Sequence, residues 1–287
     1  MSILIGKLRM SSRAKSFDFA QDRLREARRS RECTRWIATP YFIGLAMTLS
    51  FLFISFSVNA AVQWRSFLPG LQQATWSGKD SLGNGFTLEL FKIDPKQYKL
   101  QLVQATDYGQ NKISAKEMVN KTGGLLAVNA GFFDTQSKSM GLLVRDGNVL
   151  NPLRPVSWWG IFSYDKSSGP RIDKEGEFAP KSTTEIAVQV GPRLIDDNHV
   201  MPLKKNDSQK TFIGITQDNQ LILGVTDMCA VDATDLANTL LKELQLKEAL
   251  NFDGGGSTQL YAKIGSYEKD LVGVTSVANG VVLVPRR

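Results

Sequence analysis

The sequence predicts an α+β fold, with one domain over residues 81–287 built on a largely antiparallel multi-stranded sheet and a few helices. Short apolar or alternating stretches, which are typical of strands, recur between turn residues along the whole segment. Helical patterns are few, and the clearest lies at 233–246, with Asp232 suited to cap its first turn. Many short strands with few helices indicate an α+β domain. A hydrophobic export segment is predicted to precede it.

The first elements of the domain predict a strand pair followed by a short helix. Residues 86–93 alternate apolar and polar side chains, and Asp94-Pro95 marks a turn. We interpret residues 98–103 as the returning strand of a hairpin-like pair. Ser114, followed three residues later by Glu117, forms a capping-box pattern, which predicts the start of a helix.

The N-terminal segment is predicted to direct export. Residues 1–35 hold 10 Lys and Arg against 4 Asp and Glu, which accounts for most of the net charge of +7. We expect this cytoplasmic tail to be disordered or to form a short amphipathic helix. Residues 36–61 contain the apolar run 41–56 and end in small residues. A signal peptide cleaved after Ala60 fits this pattern, and so does an uncleaved membrane anchor, because the run approaches the roughly 20 residues that span a bilayer.

Both alternatives give one topology. The arginines stay in the cytoplasm and the chain after about residue 61 is exported, so the domain is expected to be periplasmic or extracellular. Residues 62–80 are interpreted as a linker between the export segment and the domain.

Charge and histidine content exclude several function classes. Beyond residue 35 the basic and acidic residues nearly balance, so the basic surface that nucleic-acid binding requires is not expected. His199 is the only histidine. This excludes a His-rich zinc site and limits any Ser-His-Asp triad to His199, which we interpret as a solvated loop residue.

Two motifs at predicted strand-to-loop junctions have a similar composition, which indicates a catalytic or binding site. Asn129-Ala130-Gly131-Phe132-Phe133-Asp134 and Asn251-Phe252-Asp253-Gly254-Gly255-Gly256-Ser257-Thr258 each follow a short apolar run. Each places an amide, a glycine and a carboxylate where a predicted strand ends. If the two strands are neighbours, Asn129, Asp134, Asp253 and Ser257 surround one cleft.

Three further features are ambiguous on residues alone. The glycine run 254–256 has the composition of an anion-binding nest, but it lacks the lysine and helix of a P-loop, and a structural hairpin or bulge fits it equally. Arg193, after Gly191-Pro192, suits phosphate binding or a sheet-edge position. Trp158 and Trp159 suit stacking on a sugar ring, although strand aromatics usually pack in a core.

The two motifs, in this order, resemble the phosphodiester glycosidase domain family over residues 85–285. The likeness includes Gly191-Pro192-Arg193 and the segments 213–215 and 277–279. It implies hydrolysis of a sugar-1-phosphodiester, which releases a sugar and leaves a phosphomonoester. It carries over as site residues Asn129, Gly131, Arg193, Asp253, Gly254, Gly255, Gly256 and Ser257. The sequence departs from the family at Lys210 and at Thr275-Ser276, where basic residues are common.

Glycosidic cleavage assigns roles to these residues. Asp253 is the candidate acid, base or nucleophile at the anomeric carbon, and Asn129 and Arg193 complete the catalytic set. Arg193 and the amides of 254–256 are expected to bind phosphate. The remaining substrate-binding candidates are Gly131, Phe132, Asp134, Ser257 and Thr258.

Two other function classes stay open. An envelope protein that binds glycans or anionic polymers would use the same cleft without turnover. A metal-dependent phosphoesterase would use Asp227 and Asp253 as oxygen ligands, and for it a divalent cation is the possible cofactor. No ligand spacing requires a metal, so the sequence calls for no cofactor.

Overall fold

The computed structural model of the protein describes residues 62–286, which form three β-sheets and two α-helices. All paired strands are antiparallel, so the predicted strand orientation is confirmed. The predicted single core sheet is replaced by sheets of eight, five and five strands.

The strands are β1 Arg65–Leu68, β2 Leu71–Lys79, β3 Gly85–Ile93, β4 Tyr98–Gln104, β5 Leu126–Asn129, β6 Leu143–Arg145, β7 Asn148–Asn151, β8 Gly160–Asp165, β9 Gly169–Lys174, β10 Thr184–Val190, β11 Arg193–Asp196, β12 His199–Val200, β13 Thr211–Thr216, β14 Leu221–Thr226, β15 Leu246–Asn251, β16 Leu260–Ile264, β17 Tyr267–Leu271 and β18 Asn279–Pro285. The helices are α1 Ala115–Thr122 and α2 Ala233–Leu244.

The order of the strands decides which loops meet. The eight-stranded sheet runs β1-β2-β3-β14-β13-β15-β11-β12. One five-stranded sheet runs β17-β16-β5-β18-β4, and the other runs β7-β6-β10-β8-β9. A shared apolar core joins the three sheets, with members such as Ile213 from the first, Val128 from the second and Val188 from the third. Burial of this apolar surface is the main stabilising contribution.

The predicted hairpin between residues 86–93 and 98–103 is wrong. β3 pairs with β2 and β14, whereas β4 pairs with β18 in another sheet. The turn itself exists, and the Asp94 carboxylate accepts a hydrogen bond from the Lys96 amide within it. This turn carries the chain from one sheet to another, because local turn residues do not specify strand partners.

The predicted linker at 62–80 is also wrong, because most of it is sheet. β1 and β2 occupy 65–68 and 71–79, and β2 pairs with β3 along its whole length. The residues of β2 alternate poorly, so its strand conformation depends on the partner strand rather than on its own pattern.

Both predicted helices are confirmed. Ser114 and Glu117 form the reciprocal capping box of α1, with each side chain bonded to the other residue's backbone amide. Asp232 caps α2 by accepting a hydrogen bond from the Thr234 amide. Gln245, in the left-handed conformation, ends α2 two residues before the predicted boundary and leads directly into β15.

The predicted tail 1–35 and export segment 36–61 lie outside the described residues. Within residues 62–286, no helix has the length and apolar character that crossing a membrane requires.

Substitution of Gly224 by Ala is expected to lower the free energy of unfolding by about 1–3 kcal/mol, because a Cβ there would lie 2.3 Å from the buried Phe212 ring. The matched control is Gly85→Ala, whose nearest non-neighbour atom is an oxygen at 3.8 Å. Urea denaturation measures both variants. Equal stability of the two would contradict this description of the packing.

Candidate active site

Asn129 and Asp253 lie side by side where strands of two different sheets end. Asn129 is the last residue of β5 and is fully buried, and Asp253 follows β15. The Asn129 side-chain amide donates to the Asp253 carbonyl at 2.6 Å, and the Asp253 amide donates to the Ala130 carbonyl at 2.8 Å. The two motifs are therefore joined directly through the backbone of the residue that carries the carboxylate.

The other end of the Asn129 carboxamide ties in two more strands. Its Oδ1 accepts hydrogen bonds from the Thr211 hydroxyl at 2.7 Å and from the Gln259 amide at 3.2 Å. Thr211 begins β13, and Gln259 precedes β16. One buried side chain thus fixes four chain segments, and because a buried amide left without partners is costly, this network strongly favours one loop geometry.

The glycine run forms a tight turn packed against neighbouring backbone. Gly255–Ser257 is a 3₁₀ turn, and Gly255 has φ +58°, a conformation that favours glycine. A Cβ on Gly254 would lie 2.7 Å from the Gln209 carbonyl oxygen. The absence of side chains here permits the close backbone approach.

The glycine amides are mostly engaged inside the protein. The Gly254 amide donates to Asp253 Oδ1 at 3.0 Å, and the Gly255 amide donates to the Gln209 carbonyl at 2.8 Å. Two of the three amides expected to bind phosphate are thus already bonded. The run therefore shapes the loop and holds Asp253 instead of forming an anion-binding nest of three free amides.

Asp253 carries the most distinctive electrostatics of this loop. Burial raises the pKa of its carboxyl above the ordinary value, because the charged form is poorly solvated. Hydrogen bonds from the Ser257 side chain and the Gly254 amide stabilise the carboxylate and oppose this rise in pKa. Ser257 is itself buried, so it contacts the acid from within the loop. A carboxyl group with this balance is typical of catalytic sites.

Arg193 lies beside the end of β15, but its guanidinium forms an ion pair with Asp196. The Asn251 amide donates to the Pro192 carbonyl at 3.0 Å, which places the start of β11 against the end of β15. The guanidinium Nη1 bonds Asp196 Oδ2 at 2.7 Å, and no ion pair joins it to Asp253 within residues 62–286. A substrate phosphate would have to compete with Asp196 for this group.

The first motif has two parts: Gly131 and Phe132 contact other segments of the chain, whereas Asp134 belongs to a local turn. The Gly131 amide donates to Asn279 Oδ1 at 2.7 Å, and the Phe132 ring packs against Trp159 with 5.1 Å between centroids. Asp134 accepts hydrogen bonds from the backbone amides of residues 136 and 138, so it shapes a turn. Asp134 therefore stabilises the turn that follows Phe133.

Four buried polar atoms near these strand ends have no hydrogen-bond partner, whereas most buried polar atoms in proteins do. They are Thr258 Oγ1, Asn251 Oδ1, Arg193 Nε and Trp159 Nε1. Trp159 adjoins the Arg193 segment, since a Cβ on Gly191 would lie 3.0 Å from the Trp159 Cα. The unsatisfied groups are concentrated where sequence motifs indicate a site, so hydrogen-bonding capacity remains at these strand ends.

Sequence reasoning assigned no role to three residues that hold the site together. Thr211 and Gln259 bond Asn129, and Asn279 bonds Gly131. All three are almost completely buried polar residues at the start of apolar runs. A polar residue entering an apolar strand was the available signal, although it does not reveal the partner.

Residues 62–286 provide no set of metal ligands for a metal-dependent phosphoesterase. Asp227 forms an ion pair with Lys269, with 2.7 Å between Oδ2 and Nζ. Across the part of the chain that the structure describes, no group of three or more His, Cys, Asp or Glu side chains could hold a metal ion. Asp227 is thus engaged by a cation of the protein itself.

Comparison with known protein families shows to which family this chain belongs. The family model described as phosphodiester glycosidase matches residues 122–284, which is more than half of the chain and includes both motifs. The chain belongs to the phosphodiester glycosidase family. A search of curated protein sequences found no match.

Two solved structures share the fold with this phosphodiester glycosidase family member. The catalytic domain of zebrafish N-acetylglucosamine-1-phosphodiester alpha-N-acetylglucosaminidase, auto-inhibited by its pro-peptide, aligns with TM-score 0.60 and 16% identity over 79% of this chain and 87% of that one. A hypothetical protein from Synechocystis aligns with TM-score 0.58 and 14% identity over 78% of this chain. The chain covers 64% of the Synechocystis protein, which is less than two thirds of its length.

Replacement of Asp253 by Asn is expected to stabilise the protein at pH 7. Because burial raises the folded-state pKa of this carboxyl, its ionisation destabilises the folded state as the pH rises above the unfolded-state value of 3.8. Asn keeps an oxygen for the Gly254 amide and carries no charge. Urea denaturation from pH 7 down to pH 4 should show a stability gain that shrinks towards low pH. A variant less stable than wild type at pH 7 would contradict the assigned cause.

Proposed function

We propose that this protein is an exported hydrolase that cleaves the glycosidic bond of a sugar-1-phosphodiester, in envelope glycan or exopolysaccharide metabolism. The observation that carries the proposal is the buried Asp253 carboxyl, held by Ser257 and Gly254 on a loop that Asn129 fixes. The family match and the likeness to a phosphodiester glycosidase catalytic domain support the same reaction class.

The chemistry follows from what a phosphodiester substrate requires. Cleavage passes through an oxocarbenium-like centre, which a carboxylate stabilises, attacks, or supplies with activated water. The phosphomonoester that leaves is a weak base, so protonation of the leaving group is less important than in ordinary glycosides. One well-held carboxylate therefore meets the main demand, and Asp253 takes that role in its ionised form.

The roles of the neighbouring residues are to position Asp253. Asn129 fixes the backbone of Asp253 through the carbonyl, and Ser257 donates to its carboxylate. The half-buried Phe132 ring follows Gly131 and packs on the buried Trp159, so it supplies an apolar surface beside the Gly131 segment. Aromatic walls of this kind suit the apolar face of a sugar ring.

The direct test is hydrolysis of a panel of nucleotide-sugar and lipid-linked sugar phosphodiesters. The Asp253→Asn variant is expected to lose roughly 10³-fold or more in kcat/KM, as removal of a catalytic carboxylate does in other enzymes. The matched control is Asp270→Asn, which breaks only a surface ion pair with Lys116 and should keep wild-type activity. Wild-type turnover by Asp253→Asn would rule out its role. Saturable binding by wild type without product would favour the non-catalytic binding protein.

The Ser257→Ala variant is expected to shift the acid limb of the kcat/KM profile to higher pH. Loss of the hydroxyl removes a hydrogen bond that lowers the Asp253 pKa, so a higher pH is needed to ionise the carboxyl. Ser77→Ala is the control, because that exposed hydroxyl contacts the Thr87 hydroxyl and no residue of the site. An acid limb that stays in place or moves to lower pH would contradict the assignment.

A further inference from the structure

Exposed large hydrophobic side chains gather around one end of the sheets. Within residues 62–286 eight such side chains are exposed, and six of them lie on loops at the strand ends that also carry Asn129 and Asp253. Single exposed apolar residues are ordinary, whereas a group on one face marks an interaction surface. We call these six the apolar rim: Leu82, Leu153, Trp158, Met228, Val272 and Val274, with exposed fractions from 40% to 72%.

One side of the apolar rim follows β14 and β17. Met228 comes next to Asp227, whose amide bonds the Thr87 carbonyl at the start of β3. Leu82 lies in the turn between β2 and β3, beyond the same end. Val274 lies against the glycine loop, since a Cβ on Gly256 would lie 3.4 Å from the Val274 Cβ.

The other side of the apolar rim is held by a buried glutamine and a tryptophan. Gln189, near the end of β10, accepts a hydrogen bond from the Arg154 amide and donates to the Arg154 carbonyl, which fixes the loop that carries Leu153. Trp158 is half exposed and packs edge-on against the buried Trp159, with 5.8 Å between ring centroids. The exposed indole is therefore presented by an ordered loop.

Basic side chains accompany the apolar rim. Five exposed Lys and Arg lie on loops at this end, against the exposed acidic Asp107 and Asp207, of which Asp107 is paired with Arg145. The chain beyond residue 35 is nearly neutral overall, so this surplus of positive charge is local. The basic residues are Lys112, Lys138, Arg154, Lys204 and Lys205.

We propose that the apolar rim and these basic residues dock on an anionic lipid bilayer, so that the candidate site meets a lipid-linked sugar phosphodiester. The choice of substrate rests on the proposed function, whereas the docking does not. Tryptophan and aliphatic side chains partition into the membrane interface, and exposed Lys and Arg are attracted to anionic headgroups. The apolar run ends at Phe56 and β1 begins at Arg65, so a retained anchor would keep this domain next to a bilayer.

The test measures whether Trp158 enters the lipid. The full chain is reconstituted in vesicles of anionic phospholipid, with or without bromine on the acyl chains. The fluorescence of Trp158 is taken as wild type minus Trp158→Phe, which removes the signal of the other tryptophans, including any near the N-terminal segment. Bromine is expected to quench this difference at least twofold. An unquenched Trp158 would overturn the docking and leave a soluble or protein partner for the apolar rim.

A matched control tests the orientation of the domain. Val149 is exposed and apolar but lies on β7, outside the apolar rim. The signal added by Val149→Trp is expected to stay unquenched, and quenching equal to that of Trp158 would overturn docking through the rim. Replacing Lys112, Lys138 and Arg154 by Ser should reduce Trp158 quenching in anionic vesicles and leave neutral vesicles unaffected. Unchanged quenching in anionic vesicles would overturn the role of the basic residues.

Hydrolysis assays separate this proposal from the proposed function. A quenched Trp158 without turnover of any sugar phosphodiester would remove the function and keep the docking. Turnover of soluble nucleotide-sugars with an unquenched Trp158 would keep the function and remove the docking. If both hold, replacing Leu82, Met228 and Val272 by Ser should lower kcat/KM for the lipid-linked substrate about tenfold, with the soluble substrate unaffected. Equal loss on both substrates would contradict the substrate class.

Discussion

The hydrogen bonds of the Asn129 carboxamide are the constraint on which the candidate site depends. This single buried side chain joins the end of β5 to the Asp253 carbonyl, the Thr211 hydroxyl and the Gln259 amide. The segments it joins belong to two different sheets. The site can therefore form only when the shared apolar core has packed these two sheets against each other. Formation of the site therefore depends on the fold. The core sets the distance between the strand ends, and the hydrogen bonds of Asn129 then fix the conformation of the loop that carries Asp253.

The loop stabilised in this way holds an acid in an unfavourable environment. Burial raises the Asp253 pKa, and Ser257 and Gly254 only partly offset this effect. Nearby, Thr258 and Asn251 contribute buried oxygens without partners. Buried polar groups without hydrogen-bond partners lower the free energy of unfolding. The three glycines serve this arrangement by letting backbone approach backbone at Gln209, and not by offering three free amides to an anion.

Much of this could be predicted from sequence, with a clear limit. The strand orientation, both helices with their caps, and the pairing of the motifs at 129 and 253 followed from local pattern and motif likeness. Strand partners did not follow, since the turn at Asp94 joins two sheets and β2 lacks a pattern of its own. The direction of the Arg193 guanidinium and the turn role of Asp134 depend on tertiary contacts with no local signal. The polar residues that support Asn129 were hidden at the start of apolar strands.

The most direct measurement of the central claim is the position of bond cleavage in water enriched in oxygen-18. A sugar-1-phosphodiester can break at the glycosidic C–O bond or at the P–O bond. Attack at the anomeric carbon, which the buried carboxylate of Asp253 is suited to support, places the heavy oxygen in the released sugar. Mass spectrometry of both products should find the label in the sugar and none in the phosphomonoester. Label in the phosphate would show a phosphoesterase and contradict the account.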